Sequence, residues 1–194
     1  MSSLLKHIVN GARSRRAARR ADTSAAELER ARALQASGNN AEARAVCEKI
    51  LSHNPQEAGA HYLLGTVCGV AGEFDLAFVH LHAAERLNPT SHEPHFGLGN
   101  VHWLRRDISA AAESYRRALA LNPESAETHF NLGLVLRVAA QLKDAAYHLE
   151  RAVALAPAFR EAAKECASIQ IQLGRFDAAL EAAEDALRHA PAAG

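Results

Sequence analysis

No stretch of this 194-residue sequence is long and apolar enough to suggest a membrane span. Its longest uncharged apolar run, Leu63 to Gly72, falls well short of the ~18 residues required. Net charge is also lacking, with 22 basic side chains against 22 acidic ones. Cysteine is sparse: three residues, an odd number with no secretory leader pattern ahead of them. They are expected to be free thiols in a reducing, cytoplasmic compartment. Aromatic residues make up only 5% of the chain. The common catalytic signatures are missing too, with no phosphate-cradling Gly-rich loop, no His-Glu-x-x-His and no Gly-x-Ser-x-Gly. The expectation is therefore a chain without catalytic residues, cofactor or metal centre. What is present, 48% apolar and 23% charged residues, suffices for a buried core and differs from disordered compositions. Arginine outnumbers lysine 18 to 4 and alanine is abundant, a bias expected of a GC-rich bacterial genome.

The neutral total conceals an asymmetry. Residues 1–23 hold Lys6, Arg13, Arg15, Arg16, Arg19 and Arg20 against Asp22, a net charge of +5, so the remainder carries −5. The arm has three readings. It could be a flexible or packed extension, an amphipathic helix for an acidic lipid surface or an acidic partner, or a contact to phosphate backbones. No aromatic residue accompanies its arginines and no groove-reading motif follows, so no specific nucleic-acid binding is expected.

Five of the six prolines, Pro55, Pro89, Pro123, Pro157 and Pro191, lie on one 34-residue lattice. The first three follow Asn54, Asn88 and Asn122. A residue before proline is pushed out of helical geometry, while proline itself tolerates a helix start. In this register Leu64-Gly65, Leu98-Gly99 and Leu132-Gly133 share columns, and Ala43, Ala77, Ala111, Ala145 and Ala179 share another. Gly38, Gly72 and Gly174 stand where the first helix of a pair should end. Each unit reads as two helices of about 13 residues, apolar at i, i+3, i+4 and i+7. Ser24 and Glu27 have the spacing of a capping box at the start of the first. The Gly and Ala columns let helix backbones approach closely, and Phe74, Leu81, Tyr115, Leu149 and Phe176 are expected to fill the holes opposite. A lone hairpin cannot bury its apolar face, so the units must stack.

Leu-Gly, a large residue, Ala, an aromatic or substitute, Ala and Pro over 34 residues resembles the tetratricopeptide repeat family. The resemblance covers five repeats, 24–57, 58–91, 92–125, 126–159 and 160–191, behind the arm at 1–23. It implies an all-α, right-handed solenoid of stacked helix-turn-helix units. The second, fifth, ninth and twelfth positions of each first helix would then face a concave groove. The fifth carries Leu28, Tyr62, Phe96, Phe130 and Lys164, and the ninth Arg32, Thr66, Asn100, Leu134 and Ser168. The twelfth adds Trp103 and Arg137, and Asn131 occupies the sixth. Aromatic anchors with arginine and amide donors suit a binding hot spot, although a fifth-position aromatic also packs on its neighbours. In the register of the family's clamp for C-terminal carboxylates the chain offers Phe96, Asn100, Asn131, Glu161 and Glu165. All three cations of that clamp are missing, which excludes the function.

His61, His95 and His129 share a column, so they are spread along the solenoid as packing residues rather than gathered on one ion. Cys47, Cys68 and Cys166 fall on apolar columns and read as small buried hydrophobes. The leading expectation is a non-enzymatic scaffold for a protein or peptide in the concave groove. The alternative is an N-terminal substrate- or partner-binding module of a larger bacterial enzyme, such as a glycosyl-, methyl- or sulfotransferase. The last helix, about Phe176 to His189, carries more apolar surface than its inner contact needs. That end is expected to be covered by a following domain or by a second copy stacked end to end.

Overall fold

The computed structural model describes residues 24–188, so the basic arm lies outside the described residues. Among these residues every regular element is helical. The helices are α1 (24–36), α2 (Asn40–His53), α3 (Ala58–Val70), α4 (Phe74–Leu87) and α5 (Glu93–Leu104). They continue as α6 (Ile108–Leu121), α7 (Ala126–Val138), α8 (Leu142–Leu155), α9 (Arg160–Gln172) and α10 (Phe176–Arg188). Hairpin partners α3/α4, α5/α6, α7/α8 and α9/α10 pack together, and each hairpin stacks on the next through α2/α3, α4/α5, α6/α7 and α8/α9. The result is an all-α solenoid. Among the described residues no helix is long and apolar enough to cross a membrane.

Turn chemistry explains where the helices stop. Asn54, Asn88 and Asn122, each held extended by the following proline, close α2, α4 and α6 with their N–H groups on the carbonyls of Ile50, Ala84 and Ala118. Inside the hairpins Gly38, Gly72 and Gly174 take φ of +80°, +80° and +72°, a left-handed turn that glycine enters without steric cost. The same position in the third and fourth hairpins is Arg106 (φ 64°) and Ala140 (φ 58°), where a side chain is carried through the strained region. The capping box does not form. Ser24 Oγ is buried without a hydrogen-bond partner, and Glu27 pairs instead with Lys49 of α2 at 2.6 Å. A cross-helix cation outweighs a marginal local cap here.

The small-residue columns do what their spacing implies. A Cβ on Gly65, Gly99 or Gly133 would come within 2.7 Å of Leu81, 2.5 Å of Tyr115 or 2.7 Å of Leu149. Those large side chains therefore fill the space glycine leaves, and all three are buried. Phe74 is half-buried, as are its equivalents Ile108 and Leu142. Phe176, the same column in the fifth hairpin, is 68% exposed and fills no hole. The earlier three are sheltered by a further hairpin; no hairpin is described beyond the fifth.

Candidate partner-binding cleft

Every first helix of the first four hairpins contributes to one open cleft of about 290 Å³. The α1 helix supplies Gln35. Tyr62, Thr66 and Val70 come from α3, and Phe96, Asn100 and Leu104 from α5. Glu127 comes from α7. Stacking in register makes this inevitable: residues four apart on each helix share its inner face, and the 34-residue repeat lines those faces up. Gly97 allows the aromatic wall to form, since a Cβ there would lie 3.3 Å from the Tyr62 ring and 2.7 Å from Leu81.

Hydrogen bonds set the polar groups of the cleft. Gln35 Nε2 donates to Thr66 Oγ1 at 2.6 Å, and Thr66 Oγ1 donates to the Leu63 carbonyl at 2.8 Å. Asn100 Oδ1 accepts from the Tyr115 hydroxyl at 2.6 Å and from Asn131 Nδ2 at 3.3 Å. With both donors spent on one oxygen, the Asn100 amide is held in a single orientation. The Phe96 ring lies 5.9 Å from that of Tyr115, anchored beneath the surface it presents. Burial, with Glu93 and Glu127 nearby, holds the Tyr62 phenol well above its ordinary range, so it stays a neutral hydroxyl. Burial also raises the Glu127 carboxyl, which has no ion-pair partner among the described residues.

Of the twelve residues marked in the sequence, Tyr62, Thr66, Phe96 and Asn100 meet in the cleft. Asn131 reaches it through Asn100. Arg32 lies to one side, bound to Glu93 at 3.3 Å and Glu29 at 3.6 Å, and Arg137 is tied to Glu165 at 2.6 Å. Phe130 meets Phe159 with ring centroids 4.8 Å apart and planes tilted by 53°, and Trp103 is half-buried against the core of the later hairpins. Leu28 packs beneath Gly59, Leu134 is half-buried and Lys164 is exposed. Sequence reasoning missed Gln35, which shares the twelfth column with Trp103, and Glu127, which sits in the second. It also missed Val70 and Leu104 one position beyond the twelfth. The columns themselves held the signal.

Outside the cleft four of the histidines form two pairs. His61 Nδ1 lies 2.9 Å from His80 Nδ1, and His129 Nδ1 lies 2.9 Å from His148 Nδ1, two repeats further on. In these two pairs the first-helix imidazole, His61 or His129, faces a second imidazole rather than a set of metal ligands. All three cysteines are buried, and burial pushes the Cys47 and Cys166 thiols up to about 11.

The Tetratricopeptide repeat profile matches residues 28–92 and 96–159, two thirds of the chain. The chain belongs to the tetratricopeptide repeat family. Solved structures of similar architecture agree with this tetratricopeptide fold. The pilF protein of Pseudomonas aeruginosa is 20% identical over 90% of this chain and 79% of its own, with a TM-score of 0.79. A thermophilic tetratricopeptide repeat protein of Thermus thermophilus is 23% identical over 87% of this chain and 92% of its own, with a TM-score of 0.72. YrrB, described as having an unusual peptide-binding site, is 22% identical over 86% of each chain, with a TM-score of 0.61. No curated protein sequence gives a significant match.

Proposed function

We propose that this tetratricopeptide array is a non-enzymatic scaffold whose concave face, centred on the Tyr62–Phe96 cleft, holds a peptide segment of a protein partner. The observation that carries the reading is a recurrent apolar exposure that starts in the cleft, at Val70 and Leu104, and repeats in register one hairpin further on. Val70, Leu104 and Val138 occupy one column at 34-residue spacing and stand 67%, 48% and 57% exposed. A side chain exposed singly needs no explanation, but an apolar row repeated by the architecture marks a surface meant to be covered. Beside it the open aromatic faces of Tyr62 and Phe96 and the fixed amide of Asn100 provide anchors with low ordering cost. The peptide site ascribed to YrrB is in keeping with this use of the fold. A non-catalytic role accords with thiols that burial keeps protonated and hence unreactive.

Panning a random dodecapeptide library on the full chain tests the proposal. Enriched peptides should bind with a Kd near the micromolar range and lose binding to the double variant Val70→Ser, Leu104→Ser. They should keep binding to Val79→Ser, a comparably exposed valine on α4. Peptides that ignore the first variant, or enrichment no better than on an unrelated protein, refute a concave site.

A further inference from the structure

The cleft's charge identifies the chemistry of its occupant. Two arginines expected on this face, Arg32 of α1 and Arg137 of α7, are already engaged, Arg32 by Glu29 and Glu93 and Arg137 by Glu165. The acids are not balanced. Glu93, Glu127 and Glu161 stand in one column at 34-residue spacing, and neither Glu127 nor Glu161 has an ion-pair partner among the described residues. Lys164 and Glu161, one turn apart on α9, both lie outside the cleft, as does Glu93, so the charged side chain among the cleft's lining residues is Glu127. The cleft at about 290 Å³ is at the small end for binding pockets, so it suits a side chain or two from a peptide running along the groove rather than a cofactor.

Resting on the scaffold reading above, we propose that the occupant is a basic–apolar peptide. Its lysine or arginine reaches Glu127 across the Tyr62 and Phe96 faces, and its apolar side chains cover Val70, Leu104 and Val138. Three physical terms favour this pairing. Glu127 stands exposed at the cleft, its charge unbalanced by any cation beside it among the described residues and its carboxyl raised by partial desolvation. An incoming cation restores that balance. Aromatic faces beside the carboxylate attract the same cation through their quadrupoles. The apolar row supplies area that a purely basic segment would leave uncovered. An acidic or free-carboxylate peptide would instead bring like charge against Glu127.

The library panning described above reads this directly, with the full chain and its Glu127→Gln variant as baits. Enriched peptides should carry lysine or arginine beside leucine, valine or isoleucine. A fluorescein-labelled copy of the best one should bind Glu127→Gln about three- to tenfold more weakly, and raised salt should narrow that gap. Loss of binding should be absent in Asp75→Asn, which removes an exposed charge on α4. Groove-dependent peptides without a cation, or an unchanged consensus on Glu127→Gln, overturn the charge inference and leave the scaffold standing. An equal loss in Asp75→Asn overturns it as well, by showing general attraction to an acidic body. Absence of any groove-dependent peptide removes both.

Discussion

Acidification should unlock the fourth hairpin through one histidine pair. His129 Nε2–H donates to the Pro123 carbonyl at 3.1 Å, which leaves its Nδ1 as an acceptor. Burial lowers both rings and so favours their neutral forms, in which the His129 lone pair receives Nδ1–H of His148 at 2.9 Å. Burial, then His129, then Arg116 push His148 down to about 4, against Asp144 acting the other way. Burial and Arg151 also lower His129, against the Pro123 bond. A lowered folded-state pKa means the unfolded chain takes up protons first. The stabilisation is intact above the ordinary value near 6.5 and is lost as pH falls from there toward 4. For His148 alone, full linkage from about pH 7.5 to about pH 5 amounts to ~2 kcal/mol. Solvent reaching the half-exposed ring reduces this to about 1 kcal/mol. The assay is urea unfolding followed by far-ultraviolet circular dichroism at both pH values, with hydrogen exchange reporting on α7 and α8. His148→Gln, whose amide can still donate to His129 but cannot titrate, should lose about 1 kcal/mol less than the parent on acidification. The third hairpin is an internal comparison, because Ser114 replaces the second imidazole and His95 faces Glu85 at 3.8 Å. An identical acid loss in parent and His148→Gln would refute the pair as its source.

Other substitutions test the packing and the turns. Ala140→Gly should raise stability by roughly 0.5–1 kcal/mol in urea unfolding, because its φ of 58° suits only glycine without strain. Gly99→Ala should lower stability by about 1–3 kcal/mol, since the added methyl meets the buried Tyr115 ring at 2.5 Å. Cys47 and Cys166, with thiols near 11, should resist a thiol reagent at about pH 8 until urea is added, and rapid labelling of the folded chain would contradict their burial. Phe176→Asp with Leu180→Asp should leave the melting temperature nearly unchanged, because both side chains are more than 60% exposed. The same double variant should abolish any end-to-end self-association seen by light scattering.

Much of the architecture follows from local rules that the sequence states openly. The proline lattice ends helices by restricting the residue before each ring, and the Leu-Gly and Ala columns bring helices close because small residues leave room for Leu81, Tyr115 and Leu149. Such rules act within a turn or a hairpin, so a single chain of letters suffices to read them. Partner choice acts across hairpins and does not. Glu27 leaves its cap for Lys49, Arg32 spans from α1 to Glu93 on α5, and Trp103 turns toward the later core while Leu104 takes the cleft. Phe176 shows the same division, since its column predicts packing but only a further hairpin would bury it. The groove's position was legible from periodicity; its charge was decided by which glutamates found an arginine within reach, a three-dimensional competition among long side chains that leaves Glu127 without a partner.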